Sequence, residues 1–180
     1  FFGQWAALKK YSESRGIKLI GDMPIYVDAD SSDFYYNNSL FLTDKEGNPA
    51  GVAGVPPDYF SADGQLWGNP LYDYEKMESD GFAWWKRRVS KALELFDGLR
   101  IDHFRGFESF FSVPSDAKTA REGKWVKGPG KKLIDAIKSV SGEKLIIAED
   151  LGDITPEVKE LVDYSGFPGM RVFQFAFLGG

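Results

Sequence analysis

The chain of 180 residues has no cysteine and a single histidine, His103. Without cysteine there are no disulfides, thiol nucleophiles or cysteine metal sites, and a reducing compartment suits it: the cytoplasm, or a plastid in a plant. Basic runs are also missing. The 22 Lys and Arg are interspersed with 27 Asp and Glu for a net charge of −5, which argues against nucleic acid and anionic membrane as partners. No apolar stretch approaches a membrane span, and no signal peptide opens the chain. It begins with Phe1 rather than Met, as expected of a piece cut from something longer. What it has in quantity is a hydrophobic share of 43% and an aromatic share of 16%, enough to build one cored domain.

Periodicity alternates between helix and strand. Trp5, Leu8 and Tyr11 are helically spaced within Gln4–Arg15, which Gly16 stops. Ile17–Val27 reads as a strand, with Gly21-Asp22 where its apolar run breaks. Phe82, Trp85, Val89, Leu93 and Phe96 form one stripe of a helix over Asp80–Phe96, opposite Lys86, Arg87 and Lys91. A second strand leads to Asp102. Lys131–Val140 is a further helix, and a third strand leads to Glu149. Thr155-Pro156-Glu157 starts another helix, with a hydroxyl N-cap, Pro at the first position and an acid in the first turn. Arg171–Phe177 reads as a fourth strand. Strands separated by helices pair in parallel through right-handed crossovers. Four are too few to close a barrel, so the expected architecture is α/β, four consecutive βα units of a (β/α)8 barrel.

The chemistry concentrates in two apolar runs that end abruptly in charge, Leu99-Arg100-Ile101-Asp102-His103 and Ile146-Ile147-Ala148-Glu149-Asp150. Parallel α/β folds carry their active sites at strand C-termini. An Asp and a Glu there suit retaining attack on a glycosidic bond, one as nucleophile and one as proton donor. Side chains alternate along a strand, so Arg100 projects beside Asp102 and favours its ionised form, as a nucleophile needs. The approach to Glu149 is apolar, which favours a protonated acid. An Arg–Asp ion pair that merely ties a strand end is the alternative.

Residues 28–79 break the rhythm. They are too long for a crossover and hold 5 of the 20 Gly and 4 of the 9 Pro, so they read as an inserted loop or subdomain over the site. Aromatics from Phe34 to Phe41 suit a satellite core. Tyr59, Phe60 and Trp67 lie among Gly and Pro and suit stacking on sugar faces, while Asp58, Gln65 and Asn69 can bind hydroxyls.

Five segments in this order, GDMPIYV (21–27), GVAGVPPDYFSADGQLWGNP (51–70), LRIDHFRGF (99–107), AEDLG (148–152) and FPGMRVFQF (167–175), closely resemble the 4-α-glucanotransferases of glycoside hydrolase family 77. The resemblance implies a catalytic (β/α)8 barrel, with this chain supplying about strands three to six. It implies cleavage of an α-1,4-glucan or maltooligosaccharide and transfer of the released piece to another glucan or to glucose. Residue by residue, it implies Asp102 as nucleophile, Glu149 as general acid/base and Asp22 as the acid ending the third barrel strand. Arg100 and His103 flank the nucleophile, Tyr59 and Phe60 sit at the tip of an aromatic loop, and Gln65 and Trp67 contact glucan. Asp150, beside the acid, joins the substrate-binding set. The family's third catalytic acid lies on a later strand, beyond residue 180, so these residues alone are expected to be inactive and to self-associate through unpaired strand edges.

Other motifs fail. Asp28–Asp33 lacks the Gly and the terminal Glu of a calcium loop, and Lys127–Lys132 lacks the first Gly and the Ser or Thr of a P-loop. No metal or cofactor is expected. An α-glucan hydrolase using the same acids and a non-catalytic glucan-binding fragment remain open alternatives.

Overall fold

The computed structural model describes residues 1–59, 61–152 and 154–177. Three strands, β1 (Ile20–Pro24), β4 (Gly98–Asp102) and β7 (Leu145–Ala148), form a parallel sheet with β4 in the middle. Its helices are α4 (Ala83–Leu95), α5 (Lys131–Ser141) and α6 (Pro156–Ser165), preceded in the chain by α1 (Phe2–Ser14). Alternation along the strands splits the sheet into two unlike faces. Met23, Leu99, Ile101, Ile146 and Ala148 are buried, in one core with Trp85, Val89 and Leu93 of α4 and Leu133, Ile134 and Ile137 of α5. The opposite face carries Ile20, Asp22, Arg100, Asp102, Leu145 and Ile147, and it is open: Ile20 is 43% and Leu145 44% exposed.

β1 runs unbroken through Gly21, and the glycine has a packing role. A methyl there would lie 2.4 Å from the Phe96 ring, so the aromatic that closes α4 fits over β1 only because Gly21 has no side chain. Register follows from this seating. Asp22 pairs with Arg100, Pro24 with Asp102 and Ile101 with Ala148, so Glu149 comes next opposite Asp102.

A second, antiparallel sheet has the order β3-β2-β5-β6, from β2 (Gly51–Val55), β3 (Gln65–Pro70), β5 (Ser109–Pro114) and β6 (Lys124–Lys127). Residues 28–79 therefore supply only half of it, together with α2 (Ser32–Tyr36) and α3 (Tyr74–Ser79). The other half comes from the stretch after Asp102, where the motif-led reading placed no strand. Phe34 and Phe41 pack with Tyr72 and Trp84, but this group is continuous with the core under the parallel sheet and not the separate satellite core expected of that part. Tyr35 and Tyr36 do not join it, being 76% and 81% exposed.

The expected fourth parallel strand is a correction. Phe173–Phe177 forms a 3-10 helix. Among the described residues the free edge of β7 makes one backbone bond to the stretch before that helix, from Ala148 N–H to the Pro168 carbonyl at 2.9 Å, and none to Phe173–Phe177 itself. The Met170 N–H then turns to the Asp150 carboxylate instead of continuing a ladder. Extended backbone without a run of partners gains nothing from the strand conformation. On α1, Trp5 is anchored by its indole N–H to the Leu95 carbonyl, whereas Leu8 and Tyr11 of the same stripe are 50% and 59% exposed.

Candidate active site

Asp102 and Glu149 stand at the C-terminal end of the parallel sheet, on its open face, whereas Asp22, expected to end its strand, lies two residues before the end of β1 on the same face, opposite Arg100. Arg100 ties Asp22 and Asp102 together. Its Nη1 lies 2.8 Å from Asp102 Oδ1, its Nε 3.0 Å from Asp22 Oδ1 and its Nη2 3.3 Å from Asp22 Oδ2. The guanidinium thus forks onto Asp22 and orients one oxygen of Asp102, leaving that carboxylate 43% exposed.

Glu149 is held in another way. Its N–H donates to the Ile101 carbonyl, and its own carbonyl accepts from Phe104 N–H, at 3.0 and 3.2 Å. Its carboxylate accepts the His103 N–H on Oε2 at 2.9 Å and the Leu151 N–H on Oε1 at 2.8 Å. The expected apolar approach is therefore present behind it, in Ile146 and Ala148, but the carboxylate itself meets two backbone dipoles. His103 makes this possible. It adopts φ +55°, a left-handed conformation that costs a non-glycine residue roughly 1 kcal/mol or more. The turn sends its N–H to Glu149 and its ring to Trp67, 4.7 Å away edge to face.

Burial, with help from the Arg105 cation, lowers the His103 pKa from 6.5 to about 4. The ring is neutral near neutrality, and its buried Nε2 has no hydrogen-bond partner among the described residues. Stability should respond. Between pH 4 and 6.5 the unfolded chain binds a proton that the folded chain does not, so unfolding free energy rises with pH through that window. The slope approaches about 1.4 kcal/mol per pH unit where one proton separates the states. His103→Gln is expected to flatten it in urea melts between pH 4.5 and 6.5; an unchanged slope would mean the imidazole titrates freely.

A cleft of about 340 Å3 is walled by Pro57, Asp58, Gln65, Trp67, His103 and Trp125 among others. It adjoins the acids through His103, the residue after Asp102, and Leu151, the second after Glu149, but none of Asp22, Asp102 and Glu149 lines it. The Trp67 indole N–H donates to Gln65 Oε1 at 3.1 Å. Asn69 instead spends its amide on the Val27 carbonyl. Asp58 caps the hairpin tip by accepting the Ser61 N–H on Oδ1 at 2.7 Å, and Tyr59 beside it is 96% exposed. Phe60 lies outside the described residues. Asp150 does not line the cleft, and its oxygens are taken up by Met170 and Arg171. A larger hollow of about 650 Å3, between residues 38–43 and Ser112, holds none of the sequence-predicted acids.

Two contributors, Trp125 and Arg88, are not singled out by the sequence. Trp125 stacks on the Arg105 guanidinium at 3.9 Å and forms part of the cleft wall; it sits in the stretch given no strand. Arg88 donates to the Pro24 and Ile25 carbonyls at 2.7 and 3.1 Å and so fixes the chain just after β1. Its spacing from Trp84 and Trp85, four and three residues, was the available signal, and it lies over both rings at 5.2 Å.

Fold and site define an α/β protein with ionisable residues gathered at the C-terminal ends of parallel strands, where active sites of such folds lie. The family profile described as 4-alpha-glucanotransferase matches residues 1–180, and the chain belongs to that family. It is 56% identical over 180 residues to a 4-alpha-glucanotransferase of Thermus thermophilus, covering 100% of this chain and 36% of that one. A chloroplastic/amyloplastic 4-alpha-glucanotransferase of Solanum tuberosum is 54% identical over 177 residues, covering 98% and 31%. Among solved structures, the amylomaltase from Streptococcus agalactiae in complex with acarbose superposes with a TM-score of 0.94 at 44% identity, over 98% of this chain and 36% of that one. The chain thus spans about a third of the length of the curated relatives it matches.

Proposed function

We propose that residues 1–180 are part of the catalytic (β/α)8 barrel of a 4-α-glucanotransferase, with β1, β4 and β7 taking the third to fifth strand positions. Residues 28–79 and the β5–β6 hairpin form its roof. The reading is carried by one observation: two carboxylates end adjacent parallel strands in matching register, on the face away from the helices. Asp102 attacks the anomeric carbon of an α-1,4-glucan, and the glycosidic C–O bond breaks as Glu149 gives its proton to the leaving oxygen. A sugar hydroxyl, deprotonated by Glu149, then attacks the anomeric carbon of the glycosyl-enzyme, breaking its bond to Asp102, which frees the Asp102 carboxylate and returns Glu149 to its protonated form. Asp22, Arg100 and His103 line the bond-breaking end, while Asp58, Tyr59, Phe60, Gln65 and Trp67 hold the chain of sugars. The acarbose of the Streptococcus agalactiae structure supports a ligand of that kind here. No metal or cofactor enters the mechanism. A cytoplasmic or plastid location accords with the absence of cysteine and with the name of the potato relative.

Maltotriose tests this. A full-length enzyme carrying this sequence should yield glucose together with oligomers longer than maltotriose, whereas glucose and maltose alone would mean that water, not sugar, is the acceptor. Residues 1–180 in isolation should transfer negligibly. Their open face, with Ile20 and Leu145 uncovered, should drive them together, giving a sedimenting mass above the 20.2 kDa of one chain.

A further inference from the structure

The Asp150 side chain is only 13% exposed, and it does not line the cleft. Oδ1 accepts the Met170 N–H at 2.7 Å, and Oδ2 lies 3.5 Å from Arg171 Nη1. Gly169 comes so close that a methyl on it would lie 2.3 Å from Oδ2. Two residues back, Ala148 donates its N–H to the Pro168 carbonyl at 2.9 Å. Both neighbours of Glu149 are therefore fastened to the same short segment, Pro168–Arg171. On the other side Glu149 itself is fastened to β4, through the Ile101 carbonyl and the Phe104 N–H. The backbone that carries Glu149 is clamped from two directions, and Asp150 supplies one jaw.

We propose that Asp150 is a positioning residue: by holding Pro168–Arg171 against the end of β7, it sets where the Glu149 carboxyl meets the glycosidic oxygen. This rests on the reading of Glu149 as the proton donor. It replaces direct sugar binding as the role of Asp150. A clamp of this kind matters most when the acid must reach a poor leaving group within hydrogen-bond distance.

The test uses the full-length enzyme and two donors. Maltotriose needs protonation of its leaving oxygen, whereas the fluoride of α-maltosyl fluoride leaves without it. For Asp150→Ala, kcat on maltotriose should fall about 100-fold with KM within about threefold, while first-turnover fluoride release stays within about threefold. Asp150→Asn keeps an oxygen for the Met170 N–H and should recover kcat to within about tenfold of the parent. The amplitude of the fluoride burst counts folded sites. If Asp150→Ala gives none, Gly169→Ala, which forces the segment off the carboxylate, takes its place with the same expectation. Equal losses on both donors would overturn the proposal. So would a raised KM at unchanged kcat, or an Asn variant no better than Ala. Glu149→Gln measured in parallel separates the two levels: if it too shows no preference for the fluoride, the reading of Glu149 fails, and if it alone shows one, the positioning role of Asp150 fails.

Discussion

Asp102→Asn in the full-length enzyme is expected to reduce transfer on the order of 10^4-fold or more and to abolish the glycosyl-enzyme. The amide is nearly isosteric with the carboxylate, and its oxygen can still accept from Arg100 Nη1, so the Arg100–Asp22 fork should survive. What disappears is the negative oxygen that forms the bond to the anomeric carbon. The effect should therefore fall on kcat with every donor, activated or not, because no leaving group compensates for a missing nucleophile. Intact-protein mass spectrometry after mixing with α-maltosyl fluoride checks the assignment directly. An enzyme with the acid/base removed, Glu149→Gln, should gain the mass of one maltosyl group, since its breakdown by acceptor lacks a base. The double variant Asp102→Asn/Glu149→Gln should gain none. An adduct that persists without Asp102 would place the nucleophile elsewhere.

How much of this was legible in sequence differs between the two sheets. The parallel sheet reads well because its signals are local: apolar runs end in charge, and Gly or Thr-Pro-Glu mark the helix boundaries, as in α6 with its Thr155 cap. Parity alone placed Arg100 beside Asp102 on one face of the strand. The antiparallel sheet reads poorly because its strands are brought together across long separations. β2 finds β5 some sixty residues on, and nothing near Ser109 announces that pairing. The same distance hid Trp125, whose place in the cleft depends on β6 reaching β5. For Arg171–Phe177 the apolar content suggested a strand, but a strand needs a run of backbone partners, and among the described residues the edge of β7 makes one bond, to Pro168 ahead of that stretch. The left-handed His103 is likewise invisible beforehand. Its conformation is selected by a tertiary partner, the Glu149 carboxylate, and not by the residue type.

That partnership shapes the second large effect. Glu149→Gln should lower kcat on maltotriose by between about 10^2- and 10^4-fold, the range a positioned general acid contributes. The loss should depend on the leaving group. Formation of the glycosyl-enzyme from α-maltosyl fluoride should stay close to the parent rate, because fluoride departs without a proton. There is a structural confounder. The carboxylate accepts two backbone N–H groups, from His103 and Leu151, and a glutamine can answer only one of them with its oxygen. The other would face an amide NH2, so part of any loss could come from displacement of the His103 turn, which also carries the ring packed on Trp67. The donor comparison separates these causes. A displaced turn disturbs Asp102 as well, one residue away, and slows glycosylation by both donors. A missing proton slows only maltotriose. Equal losses on the two donors would therefore remove Glu149 from the role of acid and leave it as the residue that holds His103 in its left-handed conformation.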